Sequence, residues 1–192
     1  MKSLRVFLIV YYLLGGLALP VIAQEQGSEK KQLISDTFPV PRENSRLLFY
    51  IQRTHNKNTI MYEVNYKADS TINEKEPVKV YWIRYSDKGE IAPLSYIQRH
   101  YAYGIESLMT DAGKKIFRIN LVSYPKRPIY LMRAEGDTRY RAYIMMENKP
   151  VYLVKAFAKI DGGTFWVPHI TYVELTGKDP VSGKKLMERI IP

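Results

Sequence analysis

From residue 46 onwards, apolar and polar residues alternate in short runs that turn-forming residues separate. A period of two is typical of β-strands, because successive side chains point to opposite faces of a sheet. Asparagine, glycine and proline between the runs indicate tight turns. The pattern predicts strands at 46–53, 59–66, 78–85, 116–122, 129–133, 138–144, 151–160 and 165–175.

The connections between these strands are mostly short, which favours antiparallel neighbours, since parallel pairs need long crossover connections. A sheet of roughly eight to nine strands must close or fold over to bury its apolar face. We therefore predict an all-β, predominantly antiparallel domain that forms a closed or partly closed β-barrel. A two-layer β-sandwich is the alternative arrangement that the same pattern allows.

Two of the predicted strands carry more specific expectations. In the strand at 165–175, Pro168 cannot donate a backbone hydrogen bond, so this strand is expected to be bulged or to lie at an edge there. The strand at 151–160 presents one continuous apolar face, which we expect to cover the core. That face consists of Tyr152, Val154, Ala156, Ala158 and Ile160.

The tetrapeptide Tyr-Ile-Gln-Arg occurs twice, at 50–53 and at 96–99. The first copy lies in an alternating run and is predicted to be strand. The second follows Pro93, with apolar residues at helical spacing, and predicts a short helix near 93–103; a strand at 95–101 is the alternative. The sequences around the two copies do not align, so we interpret the repeat as coincidence.

The first 23 residues have the layout of a secretory signal peptide. Lys2 and Arg5 precede an uncharged apolar run, and short side chains at Val21 and Ala23 precede the expected cleavage between Ala23 and Gln24. The alternative is a retained membrane anchor, since an uncharged run of this length can span a bilayer. After cleavage we expect a polar lead-in at 24–45 and a single β-rich domain at 46–192.

Composition narrows the possible chemistry. The chain has no cysteine, which excludes disulfides, thiol nucleophiles and thiolate metal sites, and also a lipid anchor on cysteine. Its net charge of +10 favours anionic partners. The alternative is a solvated surface that keeps the protein soluble, because the basic residues are scattered along the chain. Because we expect export, to the periplasm or beyond the cell, we predict an anionic lipid, glycan or other amphiphile as partner, and not nucleic acid. We predict no cofactor and no metal.

The order of whole sequence blocks resembles a family of exported bacterial proteins known as domain of unknown function 4833. The blocks are FYIQRTHNKNTIMYEVN from residue 49, VYWIRYSDKGEIAPLSYIQRHYAYGI from residue 80, and ELTGKDPVSGKKLMERI from residue 174. The resemblance implies a location in the bacterial envelope, Gram-negative in our interpretation. It brings no catalytic motif and no functional residue.

Aromatic residues and arginine give the strongest pattern for a binding site. Several predicted strands carry a face that runs from apolar residues to arginine, which suits an amphiphile with an apolar tail and an anionic head. The alternative is that these arginines lie in solvent or extend their stems over the sheet rim. The candidate ligand-binding residues are Trp82, Arg84, Arg133, Arg139, Arg141 and Tyr143.

Two further function classes stay open, although no catalytic residue is predicted. An envelope glycan or ester hydrolase would need histidine near a carboxylate or serine, and His55, His100 and His169 are the only histidines. None has a second histidine within five residues, as a local metal site would require. The third hypothesis is a structural or assembly protein that pairs through an edge strand near Pro168.

Overall fold

The structure is a computed structural model that describes residues 38–164 and 167–192. Strands account for 58% of it, and the described residues contain one short α-helix. A 3-10 turn, Tyr85–Asp87, follows the third strand. The elements are β1 Leu47–Arg53, β2 Asn56–Val64, β3 Val78–Arg84, β4 Glu90–Pro93, α1 Tyr96–Tyr101, β5 Ile105–Asp111, β6 Ile116–Leu121, β7 Tyr124–Met132, β8 Arg141–Met146, β9 Lys149–Gly163, β10 Pro168–Lys178 and β11 Lys185–Ile190.

The strands form one sheet that curls into a half-barrel. Its main order is β4-β3-β2-β1-β9-β8-β7-β6-β5, and β10 pairs with β9 and carries β11. Among the residues that the structure describes, all strand pairs are antiparallel except one, in which Tyr50–Arg53 of β1 runs parallel to Lys155–Ala158 of β9. The all-β, predominantly antiparallel, partly closed prediction is confirmed, with this parallel pair as the exception.

The main core lies on one face of the sheet, which we call the inner face. Strand β2 illustrates the alternation: Ile60, Tyr62 and Val64 belong to the main core, whereas Met61 packs on the opposite, outer face with Tyr81. All five of these side chains are buried. The period of two that the sequence displays is therefore realised, although both faces of this part of the sheet are apolar.

The predicted apolar face of β9 is wrong at its beginning. Val151 and Leu153 are buried in the main core, and so is Ala156, three residues further on. The pairing of β9 with β10 changes register between Leu153 and Lys155, which indicates a bulge at this point. Val154 therefore packs on the outer face, and a strictly alternating pattern could not predict the change of face.

The structure has more strands than predicted, because three short or polar strands, β4, β5 and β11, do not show the alternation of apolar and polar residues on which the prediction is based. Strands β4 and β5 form the two ends of the main strand order, and β11 is paired on one side only within the described part of the chain. Such edge strands bury few side chains, so their sequences need not alternate. β7 also begins earlier than predicted, because Pro125 and Pro128 are accommodated within it.

The predicted short helix is confirmed as α1. Ser95 is its N-cap, and the capping box is complete: the Ser95 hydroxyl accepts from the Gln98 amide, and the Gln98 side chain accepts from the Ser95 amide. Gly104 allows the chain to turn close against the helix, since an added Cβ would lie 1.7 Å from the Arg99 carbonyl oxygen. The repeated tetrapeptide is thus strand in one copy and helix in the other.

Part of the lead-in packs on the outer face of the sheet. Gln52 is buried and donates to the Pro39 carbonyl oxygen (2.7 Å) and to the Thr59 hydroxyl (2.9 Å). The ring of Phe38 lies edge-on to Phe157, with 5.1 Å between the centroids. The predicted signal peptide and the first part of the lead-in lie outside the described residues.

Candidate functional site

The inner face of the half-barrel opens into an apolar cavity of about 510 Å³, which we call the trough. It lies at the end of the sheet where β1 finishes. Residues of β1, β6 to β11 and α1 contribute to it. Its principal apolar lining residues are Phe49, Ile51, Ile97, Tyr101, Tyr103, Leu121, Ile129, Ile144, Leu153, Ala156, Ala158, Ile160, Ile170, Val173, Leu175 and Ile190.

The helix α1 and the segment after it cover one side of the trough. The Trp82 indole donates to the Gln98 side-chain oxygen (3.0 Å), which ties the helix to β3. The Tyr62 hydroxyl donates to the Tyr103 carbonyl oxygen (2.8 Å), and Trp82 packs edge-on against the Tyr103 ring. At the mouth, Tyr101 is 70% exposed, so an apolar ring borders the entrance.

One cationic group in the trough has no carboxylate partner among the described residues. Arg53, at the end of β1, lines the cavity and lies with its guanidinium carbon 6.0 Å from the Tyr103 ring centroid. Its Nε atom is inaccessible to solvent and makes no hydrogen bond within residues 38–164 and 167–192. Burial raises the pKa of Tyr103, and the Arg53 charge opposes this shift. An unpaired, partly desolvated guanidinium favours an anionic ligand.

Arg127 also lines the trough, but its guanidinium is already paired. It donates to both carboxylate oxygens of Glu188, at 2.7 Å each, and to the Met145 carbonyl oxygen. These hydrogen bonds hold the pKa of Glu188 below its usual value. The contact connects β11 to β7 and so supports one wall of the trough.

The predicted residues on β3 lie apart from the trough lining. Trp82 is buried behind α1, where it supports Gln98 and Tyr103 from below. Arg84 is exposed at the end of β3, opposite Glu90 of β4. Trp82 thus supports the helix that covers the trough, and Arg84 lies on the surface.

Arg133 and Arg139 lie together in a second concavity, which we call the basic cleft. It has a volume of about 990 Å³ and lies at the opposite end of β1, where that strand begins. The Arg133 guanidinium lies 5.0 Å from the centroid of the Tyr140 ring. One Nη atom of Arg139 donates to the Asn44 carbonyl oxygen at 3.1 Å. The titratable lining residues are Arg46, Tyr66, Lys67, Glu74, Lys115, Arg133, Arg139 and Tyr140.

Arg141 and Tyr143 form a separate group with Asp137 and Tyr152. Arg141 lies 3.6 Å from a carboxylate oxygen of Asp137 and 5.2 Å from the Tyr152 ring centroid. Burial raises the pKa of Tyr143, and the Tyr152 hydroxyl 3.5 Å away adds to this. The structure thus distributes the six predicted residues over four places.

The three histidines are exposed. His100 contacts the carbonyl oxygen of Tyr96 (2.9 Å), and His169 contacts that of Asp161 (3.0 Å). His55 lies in the β1–β2 turn with a positive φ of 61°. In the described part of the chain, no three histidine or carboxylate side chains are grouped as metal ligands.

Arg53 was not among the predicted residues, although the sequence carries a signal for it. Phe49, Ile51 and Arg53 alternate on the inner face of β1, which is the same apolar-to-arginine pattern that identified Arg84 and Arg133. What the sequence does not contain is the position of the trough. It is formed by strands from both halves of the chain and by α1.

A family model described as "Domain of unknown function (DUF4833)" matches residues 49–189. The match spans the sheet from β1 to β11 and includes α1. No curated protein and no solved structure matches the chain. Across the described ranges, no helix is long and apolar enough to span a membrane.

Proposed function

Since the chain belongs to the DUF4833 family, whose description assigns no activity, we propose from the geometry that it is a non-catalytic binding module for a lipid-like amphiphile. The apolar tail lies in the trough and the anionic head meets Arg53. The observation that carries the proposal is the trough itself, an apolar cavity of about 510 Å³ that contains an arginine without a carboxylate partner in the described ranges.

The size and lining of the trough suit this class of ligand. Small-molecule sites commonly measure about 300–1,000 Å³ and combine an apolar lining with a few polar groups. Each methylene group transferred from water contributes about 0.8 kcal/mol. A tail of several methylene groups therefore supplies most of the affinity, and Arg53 selects the charge of the head.

We also propose that the protein is exported to the periplasm or secreted, with cleavage between Ala23 and Gln24. The leader's positive start, apolar run and short residues before Gln24 support this. An envelope location brings the protein close to acidic lipids and other amphiphiles. The proposed ligand class and the proposed compartment are therefore consistent with each other.

Native mass spectrometry of protein purified from its own host tests both proposals. The polypeptide mass should correspond to a chain that begins at Gln24. Under gentle conditions we expect an additional mass that organic extraction removes and that proves to be an anionic amphiphile. A ligand-free protein that also fails to bind dodecanoate would contradict the binding proposal. An uncleaved chain would contradict the proposed processing alone.

Of the two other hypotheses, assembly through an edge strand has some support. Strand β11 pairs only with Val173–Lys178 of β10. The first part of β10, residues 168–172, therefore has no neighbouring strand on the edge opposite β9 among the residues that the structure describes. The same native spectra report oligomers, which this hypothesis requires. The hydrolase hypothesis stays a prediction, and the exposed histidines give it no support.

A further inference from the structure

The basic cleft is a second concavity, separate from the trough and different in chemistry. Three connections form it with the start of β1: the β2–β3 loop, the β5–β6 turn and the β7–β8 loop. Five of its lining residues are cationic and one, Glu74, is a carboxylate. Like charges that gather in a concave site attract anions strongly, because the surrounding protein concentrates their field.

Glu74 neutralises only one of the five cations. It forms an ion pair with Lys115. Arg46, Arg133 and Arg139 have no carboxylate within ion-pair distance among the residues that the structure describes. Three guanidinium groups therefore remain available to a ligand.

Tyrosine rings and a backbone oxygen hold these guanidinium groups in place. The Arg46 guanidinium lies 5.9 Å from the Tyr66 ring centroid, and Arg133 lies 5.0 Å from that of Tyr140. The centroids of the two rings are 6.5 Å apart, so the two arginines pack on neighbouring tyrosine rings. A guanidinium fixed over a ring loses less side-chain freedom when an anion binds.

Arg139 has an unsatisfied polar atom in the same place. Its Nε atom is inaccessible to solvent and has no hydrogen-bond partner within the described ranges, while one Nη atom donates to Asn44. A buried donor without a hydrogen bond lowers the stability of the protein, and an anion that binds the Arg139 guanidinium offsets part of this cost.

We propose that the basic cleft binds a phosphate ester. Phosphate carries almost two negative charges at neutral pH and several acceptor oxygens, and guanidinium groups pair with it through two parallel hydrogen bonds. The lining of the cleft is more polar and more cationic than that of the trough, so its ligand differs from the amphiphile of the trough. This inference does not depend on the proposed function of the trough.

Calorimetry and thermal unfolding with pyrophosphate, at constant ionic strength, test the proposal on the purified protein. We expect saturable binding and a rise in the unfolding temperature as pyrophosphate increases. The double variant Arg46→Gln/Arg133→Gln should bind about tenfold or more weakly, since two charge-assisted contacts are lost. The double variant Arg84→Gln/Arg118→Gln removes the same charge from exposed strand positions and should bind as the wild type does.

The outcomes separate a site from general charge attraction. Equal loss in the two double variants, or no saturable binding, overturns the proposal. Unchanged near-ultraviolet circular dichroism of the Arg46→Gln/Arg133→Gln protein establishes that it folds, and the single variant Arg139→Gln provides an independent loss. Arg53→Met should leave pyrophosphate binding unchanged, so failure of the trough proposal and failure of this one are distinguishable.

Two ligands identify the source of the phosphate. Glucose 6-phosphate represents a soluble ester, and phosphatidylcholine vesicles with phosphatidic acid represent a lipid headgroup. Binding that depends on Arg46 and Arg133 supports the cleft in either arm and assigns the source. Absence of such dependence in both arms contradicts a phosphate-ester site.

Discussion

At the scale of single residues, Arg53 differs from Arg127 and Arg99 in the groups that surround its guanidinium. Arg127 donates to both oxygens of Glu188, and Arg99 is an exposed helix residue whose nearest carboxylate, Glu76, lies 3.8 Å away. Arg53 lies against Tyr103 in an apolar cavity, with a buried Nε that makes no hydrogen bond in the described part of the chain. An unpaired charge that is partly removed from water is costly, so a ligand carboxylate that pairs with it gains correspondingly more.

The variant Arg53→Met tests this role, because methionine keeps an apolar stem and removes the charge. We expect affinity for dodecanoate to fall about tenfold or more, as a hydrogen bond to a charged group contributes about 1.5–3 kcal/mol. Affinity for dodecanol, which has no charge, should stay the same. Displacement of a fluorescent probe measures both affinities.

The chain itself offers a matched control for that experiment. Arg99 ends the second copy of the same tetrapeptide, but it is exposed on α1. Arg99→Met should leave the affinity for dodecanoate unchanged. If Arg99→Met weakens dodecanoate as much as Arg53→Met does, or if dodecanol loses affinity too, then Arg53 does not select the anionic head.

At the scale of elements, alternation alone predicts the strands that supply many core residues and misses those that supply few. Strands such as β2 and β3 place core residues at every second position, so their sequences carry the signal. Strand β5 buries none of its residues fully, and β11 alternates between half-buried and exposed positions only. Their place depends on pairing with a neighbour, which the pattern along one strand does not encode.

The candidate site was less predictable than the fold, for a related reason. The apolar-to-arginine pattern recurs on several strands, and only the curl of the sheet decides which copy faces a cavity. Arg53 faces the trough, Arg133 faces the basic cleft, and Arg84 faces solvent. Curl and strand order are properties of the whole sheet, so a single-strand pattern cannot separate these three outcomes.

The helix α1 is short, and its stability therefore depends strongly on its cap. Six residues are too few for a helix that stands alone, so the Ser95–Gln98 capping box and the Trp82 contact hold it over the trough. We expect Ser95→Ala to cost about 0.5–2 kcal/mol of local stability. Bound dodecanoate should then dissociate faster, because the cover opens more often.

Stopped-flow displacement measures this dissociation rate, and hydrogen exchange of the Gln98 amide measures the opening of the helix. Ser107→Ala is the control, since Ser107 is an exposed residue of β5. Faster exchange together with an unchanged dissociation rate would mean that the ligand does not leave past α1.

At the scale of the whole molecule, the contact between Arg127 and Glu188 joins the last strand to the start of β7. The two side chains are only 22% and 23% exposed, so solvent screens the pair less than it screens a surface ion pair. Ile190, on the same strand, lines the trough. Stability of the C-terminal wall and retention of a ligand should therefore change together.

The pH dependence of this contact follows from the lowered pKa of Glu188. The carboxylate has a lower pKa in the folded protein than its usual 4.5, so its stabilising effect is complete above that value. The effect is lost as pH falls through the lowered value, where the carboxylate takes up a proton. Glu188→Gln should reduce the free energy of unfolding by about 1–3 kcal/mol at neutral pH, and by much less in acid.

Urea unfolding of both proteins between neutral and strongly acidic pH measures the difference. Other carboxylates with lowered pKa, such as Asp137 and Asp179, also make the protein less stable in acid, so only the wild-type-minus-variant difference is informative. Glu174→Gln is the matched control, because its partner Arg189 is 57% exposed and the pair should contribute little. A wild-type-minus-variant difference for Glu188→Gln that stays constant with pH would show that the carboxylate charge does not hold this wall. If the wall does depend on that charge, the uncharged ligand dodecanol should be released from the wild type over the same acidic range in which the difference disappears.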